Sequence, residues 1–70
     1  MFTVKVQMVP GGTETFNSDQ AITVERAMQL AKVTNIKNFT PSIGGENVAL
    51  DKVIDSDSTI TLIKKQIKGN

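Results

Sequence analysis

The fold is decided by two stretches, FTVKVQM at residues 2–8 and TITLI at residues 59–63. In the first, apolar and polar side chains alternate strictly, which is the pattern of a β-strand with one buried and one exposed face. The second is rich in β-branched residues, which favour strands, and it places Ile60 and Leu62 on one face. We therefore expect these two regular strands to lie at the centre of a sheet.

A hairpin and a helix are predicted between them. The turn Val9–Gly12 combines a proline, which lacks a backbone N–H group, with two glycines that tolerate positive φ, so Thr13–Phe16 returns as the partner strand. Thr23 is placed to cap a helix of about ten residues, which Asn35 ends in a left-handed conformation. Leu30 widens the apolar stripe of this helix, whose i, i+3, i+4 and i+7 positions are Val24, Ala27, Met28 and Ala31.

The rest of the chain returns to strands. Phe39 and Ile43 are an even number of residues apart, so in a strand they lie on the same face. Pro41 between them indicates an edge strand or a strand whose N–H side is unpaired. A turn at Gly44–Asn47 is followed by a short alternating strand at Val48–Leu50. The segment Asp55–Ser58 has the composition of a turn.

This order predicts a two-layer α+β domain of the β-grasp type. Its mixed sheet of four to five strands packs on one helix, and its first and last strands are central and parallel, because a crossover separates them. The domain is expected to span residues 1–67, with a flexible tail at 68–70. The sheet residues expected in the core are Val4, Val6, Phe16, Ile43, Leu50, Ile60 and Leu62.

The amino-acid composition argues against several classes of function. The 70 residues leave room for one domain. The chain has no Cys and no His, so it lacks thiolate metal ligands and the usual general base near pH 7. We expect no enzyme activity, no cofactor and no metal site. A net charge of +1 is not that of a nucleic-acid-binding chain, so nucleic acid is not the expected partner.

The start of the chain lacks the pattern of a secretory signal, and no apolar run approaches the roughly 20 residues that span a bilayer. We therefore expect a soluble, cytoplasmic protein without membrane association. No pattern in the sequence indicates an oligomeric state.

Three segments carry a family resemblance: Ile22–Met28 at the helix start, Ile43–Asp51 with a Gly-Gly-Glu turn and a Leu-Asp step, and Asp55–Ile63 at the last turn and strand. They resemble the corresponding segments of the ubiquitin-like sulfur carriers of thiamin and molybdopterin biosynthesis, the ThiS and MoaD group. The resemblance extends from Ile22 onwards, over about two thirds of the chain, and implies the same β-grasp fold.

The resemblance also implies a function at the C-terminus. Those carriers are adenylated and thiocarboxylated on the last glycine of a Gly-Gly end, whereas this chain ends Lys68-Gly69-Asn70. A terminal glycine fits a narrow activating-enzyme tunnel because it has no Cβ, so Asn70 would have to be removed to expose Gly69. A sulfur carrier or protein modifier attached through Gly69 is therefore one alternative function.

The exposed side of the sheet suggests another function. If Val4, Val6, Ile60 and Leu62 point inwards, the alternation places the following residues on the outer side: Thr3, Lys5, Gln7, Thr61, Ile63, Lys65 and, with strand overrun, Ile67. Ile63 beside Lys5 and Lys65 would form an apolar spot with a basic rim.

Ubiquitin-like domains commonly bind partners through this side of the sheet. Our leading hypothesis is a non-catalytic module that binds another protein through Lys5, Ile63, Lys65, Ile67 and the tail. Single isoleucines on a surface are also common without any partner. A phage- or plasmid-encoded accessory or structural protein that uses the same fold is a further alternative.

Overall fold

The computed structural model describes residues 1–9 and 11–65. Pro10 of the predicted turn and residues 66–70, which include Ile67 and Gly69, lie outside this range. In chain order the elements are β1 (Phe2–Val9), β2 (Thr13–Ser18), β3 (Ile22–Thr23), α1 (Val24–Leu30), the 3₁₀ helix η1 (Ile36–Asn38), β4 (Phe39–Ile43), β5 (Glu46–Asn47), β6 (Val53–Ile54) and β7 (Ser58–Lys64).

Five of the strands form one mixed sheet in the order β2-β1-β7-β4-β5. β1 is antiparallel to β2 and parallel to β7, in a register that pairs Val6 with Ile60 and Met8 with Leu62. β4 is antiparallel to β7. The prediction that the first and last strands are parallel neighbours at the centre of the sheet is confirmed. With α1 packed on one side, this is the β-grasp architecture.

The core lies between the two central strands and the helix. Val4 and Val6 of β1 and Ile60 and Leu62 of β7 are fully buried, as the alternation predicted. The predicted helical stripe is buried with them. The buried apolar residues are Val4, Val6, Val24, Ala27, Met28, Ala31, Val33, Ile54, Ile60 and Leu62.

Four residues assigned to the core or to its helical stripe are less buried than expected. Phe16, Ile43 and Leu50 are only partly buried and pack against the rim of the core. Phe16 is on the outermost strand β2 and Ile43 ends β4, so a seven-residue helix does not cover them. Leu30 is 42% exposed. At 100° per residue it lies about 110° from the centre of the apolar stripe, so its prediction as a core position was wrong.

A second, two-stranded sheet, which the sequence pattern did not reveal, holds the start of the helix. β3 pairs with β6, with Ile22 opposite Ile54. The N–H groups of Val24 and Glu25 donate to the carbonyl oxygens of Lys52 and Leu50, each at 2.9 Å.

The third N–H group of the helix, that of Arg26, donates to the Thr23 side chain at 3.1 Å, which confirms the predicted cap. The first N–H groups of a helix have no partner within the helix, so these contacts satisfy groups that would otherwise need water.

The β4–β5 hairpin confirms the Gly-Gly turn and corrects the strand expected after it. Gly44 and Gly45 have φ values of 62° and 87°, which side chains with a Cβ rarely adopt. The partner strand is Glu46–Asn47 and not Val48–Leu50, because the chain beyond it turns towards the helix. β4 is not the edge strand that was one prediction for Pro41, because it lies between β7 and β5. Pro41 accepts a hydrogen bond from Val48 N–H, so its missing donor faces the β5 side, which agrees with the other prediction.

The helix ends earlier than predicted. Lys32, with φ of 63°, is its left-handed terminator. The N–H groups of Lys32 and Val33 donate to the carbonyls of Gln29 and Met28, each at 3.0 Å, which is the Schellman pair of bonds. Asn35 is left-handed as expected, with φ of 56°, but it precedes η1 and does not end α1.

Lys32→Gly is expected to stabilise the fold by about 0.5–1 kcal/mol, because glycine adopts the left-handed conformation without the cost that a Cβ imposes. Urea unfolding monitored by circular dichroism measures this change. Lys32→Ala is the matched control, since it removes the charge but keeps the Cβ. Equal stability of the Gly and Ala variants would contradict the assignment.

Ile54→Ala is expected to cost about 2–5 kcal/mol, because Ile54 is 3% exposed and its truncation leaves a cavity in the core. The neighbouring Val53 is 56% exposed, so Val53→Ala should change stability by less than about 0.5 kcal/mol. Thermal unfolding of the two variants, measured side by side, tests whether the side chain of Ile54 in β6 is part of the core.

Candidate functional site

The side of the five-stranded sheet that points away from α1 is here named the outer face. Its members follow from the strand registers and from the alternation of side chains. Most are uncharged polar residues, threonine being the commonest. They are Thr3, Lys5, Gln7 and Val9 on β1, Thr13, Thr15 and Asn17 on β2, Thr59, Thr61 and Ile63 on β7, Thr40 and Ser42 on β4, and Asn47 on β5.

Two apolar side chains stand out on this polar surface. Val9 and Ile63 are directly paired between β1 and β7, and they are 44% and 50% exposed. On the other side of Ile63, β4 places Thr40 opposite it. Val9 and Ile63, named the apolar pair below, therefore form one continuous patch at the end of the sheet where β1 and β7 both finish.

The sequence interpretation placed Ile63 in this patch but missed Val9, because it assigned Val9 to the turn, whereas Val9 is the last residue of β1. The strand alternation Thr3, Lys5, Gln7 continues unbroken to Val9, and this was the signal that could have identified it. β1 thus runs to the last residue before Pro10, and its final outward side chain completes the patch.

Lys65, which the sequence interpretation placed next to Ile63, follows β7 directly. Its backbone N–H donates to the carbonyl oxygen of Asn38 at 2.7 Å, which extends the pairing of β7 beyond its last strand residue. Lys65 is exposed, and with Phe39, Thr40 and Leu50 it lines a shallow depression next to β4. The backbone at the point where the C-terminal segment begins is therefore tied to the fold.

Lys5 does not lie beside Ile63, which corrects the predicted basic rim. The register pairs Lys5 with Thr59 and Val9 with Ile63. Four residues along a strand correspond to about 13 Å, so Lys5 is separated from the apolar pair by that distance along the sheet. Lys5 lines a shallow depression together with Thr3, Thr15 and Thr59. The other two predicted residues, Ile67 and Gly69, fall outside the described part of the chain.

The far end of the outer face is fixed by a turn. Thr3 N–H donates to Asp57 Oδ1 at 2.8 Å, and the Thr3 hydroxyl donates to Asn17 Oδ1 at 2.9 Å. These bonds tie β1 both to the turn before β7 and to β2. Asp57 thus has a structural role in a turn, as the composition of Asp55–Ser58 predicted.

Within residues 1–9 and 11–65 there is no group of three or more acidic, His or Cys side chains that could hold a metal ion. In the same part of the chain, no helix has the length and apolar character needed to cross a bilayer. Of the residues proposed for binding, the strand register brings Ile63 together with Val9 in the apolar pair.

No protein-family model and no curated protein matches the chain. Among solved structures, the crystal structure of SAMP1 from Haloferax volcanii matches with a TM-score of 0.70 and 13% sequence identity. The match covers 97% of this chain and 99% of that chain. Together with the parallel β1–β7 pair, this likeness shows that the chain has the ubiquitin-like β-grasp fold.

Proposed function

We propose that this chain is a non-catalytic, ubiquitin-like module that binds another protein through the end of the outer face and the C-terminal segment. The observation that carries this proposal is the apolar pair: two half-exposed aliphatic side chains stand in register on an otherwise polar sheet surface. They lie near the end of β7, and the proposal includes Lys65 and the C-terminal segment in the same contact.

The size of the patch supports a role for the C-terminal segment. Complete burial of a Val or Ile side chain contributes about 1.5–3 kcal/mol, so covering two that are already half buried contributes about 2 kcal/mol. Micromolar affinity corresponds to about 8 kcal/mol. The apolar pair therefore serves as an anchor, and the remaining affinity has to come from neighbouring groups such as Lys65 and, beyond it, Ile67.

The structural neighbour supports the same functional class. SAMP1 is a ubiquitin-like small archaeal modifier protein, and proteins of that kind act on other proteins. The absence of His and Cys from the full sequence agrees with a module that does not perform acid–base or thiol chemistry itself.

Ile63→Glu is expected to abolish binding of the partner while changing the free energy of unfolding by less than about 1 kcal/mol, because the Ile63 side chain is half exposed. The matched control is Val53→Glu, which places the same charge at an equally exposed valine away from the outer face. Lys65→Glu tests the adjacent positive charge.

The measurement has two stages. Tagged wild-type, Ile63→Glu and Val53→Glu proteins are used as baits in extract of the cells that encode the chain, and the captured proteins are identified by mass spectrometry. The candidate is then purified and titrated calorimetrically with each variant. Equal affinity of Ile63→Glu and wild type would refute the proposed surface, and a loss of folding in Ile63→Glu would show that Ile63 belongs to the core.

A second candidate function is a protein modifier or sulfur carrier, which the SAMP1 likeness favours. This function requires that Asn70 is removed so that Gly69 becomes the C-terminal residue. The backbone bond between Lys65 and Asn38 leaves residues 66–69 to reach an activating enzyme. Four residues can span at most about 13 Å, so this function would require an activating enzyme that approaches the end of β7 closely.

Intact mass spectrometry of the protein from its native cells separates the two candidates. A modifier or carrier is expected to show a mass that lacks Asn70, together with a thiocarboxylate or a conjugate at Gly69. A recombinant chain that ends at Gly69 is the positive standard for the processed mass. Exclusive detection of the full-length, unmodified chain would eliminate the second candidate and leave the binding module.

A further inference from the structure

Among the residues that the structure describes, none pairs with the outer edge of the edge strand β2, and the hydrogen-bonding groups along this edge can be identified. Met8 N–H donates to the Gly12 carbonyl at 2.9 Å, so the even-numbered residues of β1 direct their backbone groups towards β2. In the observed register these residues pair with Glu14, Phe16 and Ser18. Since backbone groups alternate along a strand, Thr13, Thr15 and Asn17 direct their N–H and C=O groups outwards, away from the sheet.

The two edges of the sheet differ in how they are protected. β5 closes one edge with only two residues. β2 forms the other edge with six residues, TETFNS, which include no proline, no lysine and only one charged side chain, Glu14. Proteins usually protect exposed edges with short strands, proline, lysine or bulges. β2 therefore presents a long, regular template for strand addition.

We propose that the free edge of β2 pairs with β2 of a second copy of this chain, antiparallel and around a two-fold axis at Thr15. In this register Thr15 faces Thr15 of the second copy, and Thr13 faces Asn17. All three outward-directed residues of each strand are then matched, which gives roughly six backbone hydrogen bonds between the copies. The two five-stranded sheets become one continuous sheet.

Side-chain pairing favours this register over its neighbours. On the outer face it sets threonine against threonine and against asparagine, pairs that can exchange hydrogen bonds. On the helix side it sets Glu14 against Phe16. A shift by two residues, the smallest that keeps outward-directed residues paired with each other, would in one direction set the two Glu14 carboxylates against each other, and they repel. A shift by two residues in the other direction would pair Phe16 with Phe16 but would set Thr13 against Asp19, which lies outside β2, so the backbone bonds of Thr13 would be lost.

The same complementarity identifies the occupant as a second copy. Each outward-directed residue of β2 finds its match within β2 itself, which is what a two-fold axis requires. The contact is small: pairing through one strand edge buries less than the roughly 1,200 Å² of a stable interface, so the dimer should be weak and concentration-dependent. The proposal is independent of the proposed function, because the apolar pair lies on β1 and β7 and stays accessible in the dimer.

Sedimentation equilibrium over micromolar to millimolar concentrations tests the association. The apparent mass of the wild-type chain is expected to rise from 7.6 kDa towards twice that value. Amide hydrogen exchange read by NMR over the same range is expected to slow at Thr13, Thr15 and Asn17, whose N–H groups become bonded. Exchange at Glu14 and Phe16 should not depend on concentration, because their N–H groups are bonded to β1 in the monomer.

Thr15→Pro removes the outward N–H at the two-fold axis and should raise the dimer dissociation constant by about thirtyfold or more, since two hydrogen bonds are lost. Proline is tolerated on edge strands where the N–H would face solvent, so the monomer should keep its fold. Thr15→Val, which keeps the N–H group, is the matched control and should still dimerise.

A chain that remains monomeric at millimolar concentration would overturn the proposal, as would a dimer that survives Thr15→Pro. If Thr15→Pro does not fold, the test uses Thr15→Lys and Thr15→Glu, which bring like charges together at the axis. Each variant alone should be monomeric, and an equimolar mixture should form a heterodimer. A mixture that stays monomeric while wild type dimerises would show that residue 15 does not face its own copy.

Discussion

The parallel pairing of β1 with β7 is the interaction on which the rest of the structure depends. It joins the two ends of the chain in the middle of the sheet and sets Val6 directly against Ile60. Because a one-residue slip would turn every buried side chain towards solvent, burial on the helix side fixes the register. The same register places Val9 beside Ile63 on the other side, so the core and the candidate binding surface have a common origin.

The short helix depends on contacts outside itself. Seven residues are too few for a helix to be stable in isolation. Its first N–H groups are satisfied by the carbonyls of Lys52 and Leu50 and by the Thr23 hydroxyl, and its last turn is closed by the bonds of Lys32 and Val33. The segment around β6 therefore holds the start of the helix in place, and burial of Ile54 in the core stabilises this arrangement.

The sequence predicts the structure correctly where the buried positions follow the two-residue period of a strand or the 3.6-residue period of a helix. The central strands, the helical stripe and the Gly-Gly turn could be predicted because each has a local pattern. The burial of Ile54 and Val33 could not be predicted, because neither residue belongs to a local apolar repeat. Tertiary contacts bury Ile54, and the left-handed end of the helix turns Val33 into the core. Lys5 was assigned correctly to the outer face, but its separation from Ile63 depends on the β1–β7 register, which alternation alone does not specify.

Two parts of the surface thus have different physical characters and suit different kinds of contact. The apolar pair offers side chains on the two inner strands, where Ile63 is paired with Val9 on one side and Thr40 on the other, so a complementary side-chain surface is what can bind it. The β2 edge offers backbone groups and small polar side chains, so a strand in matching register can bind it. Because the two surfaces lie on different strands, a partner protein and a second copy can be bound together, and self-association would then present two apolar pairs on one continuous sheet. A bivalent arrangement of this kind raises apparent affinity for a partner with repeated sites without any new contact, which would compensate for the small area of each patch.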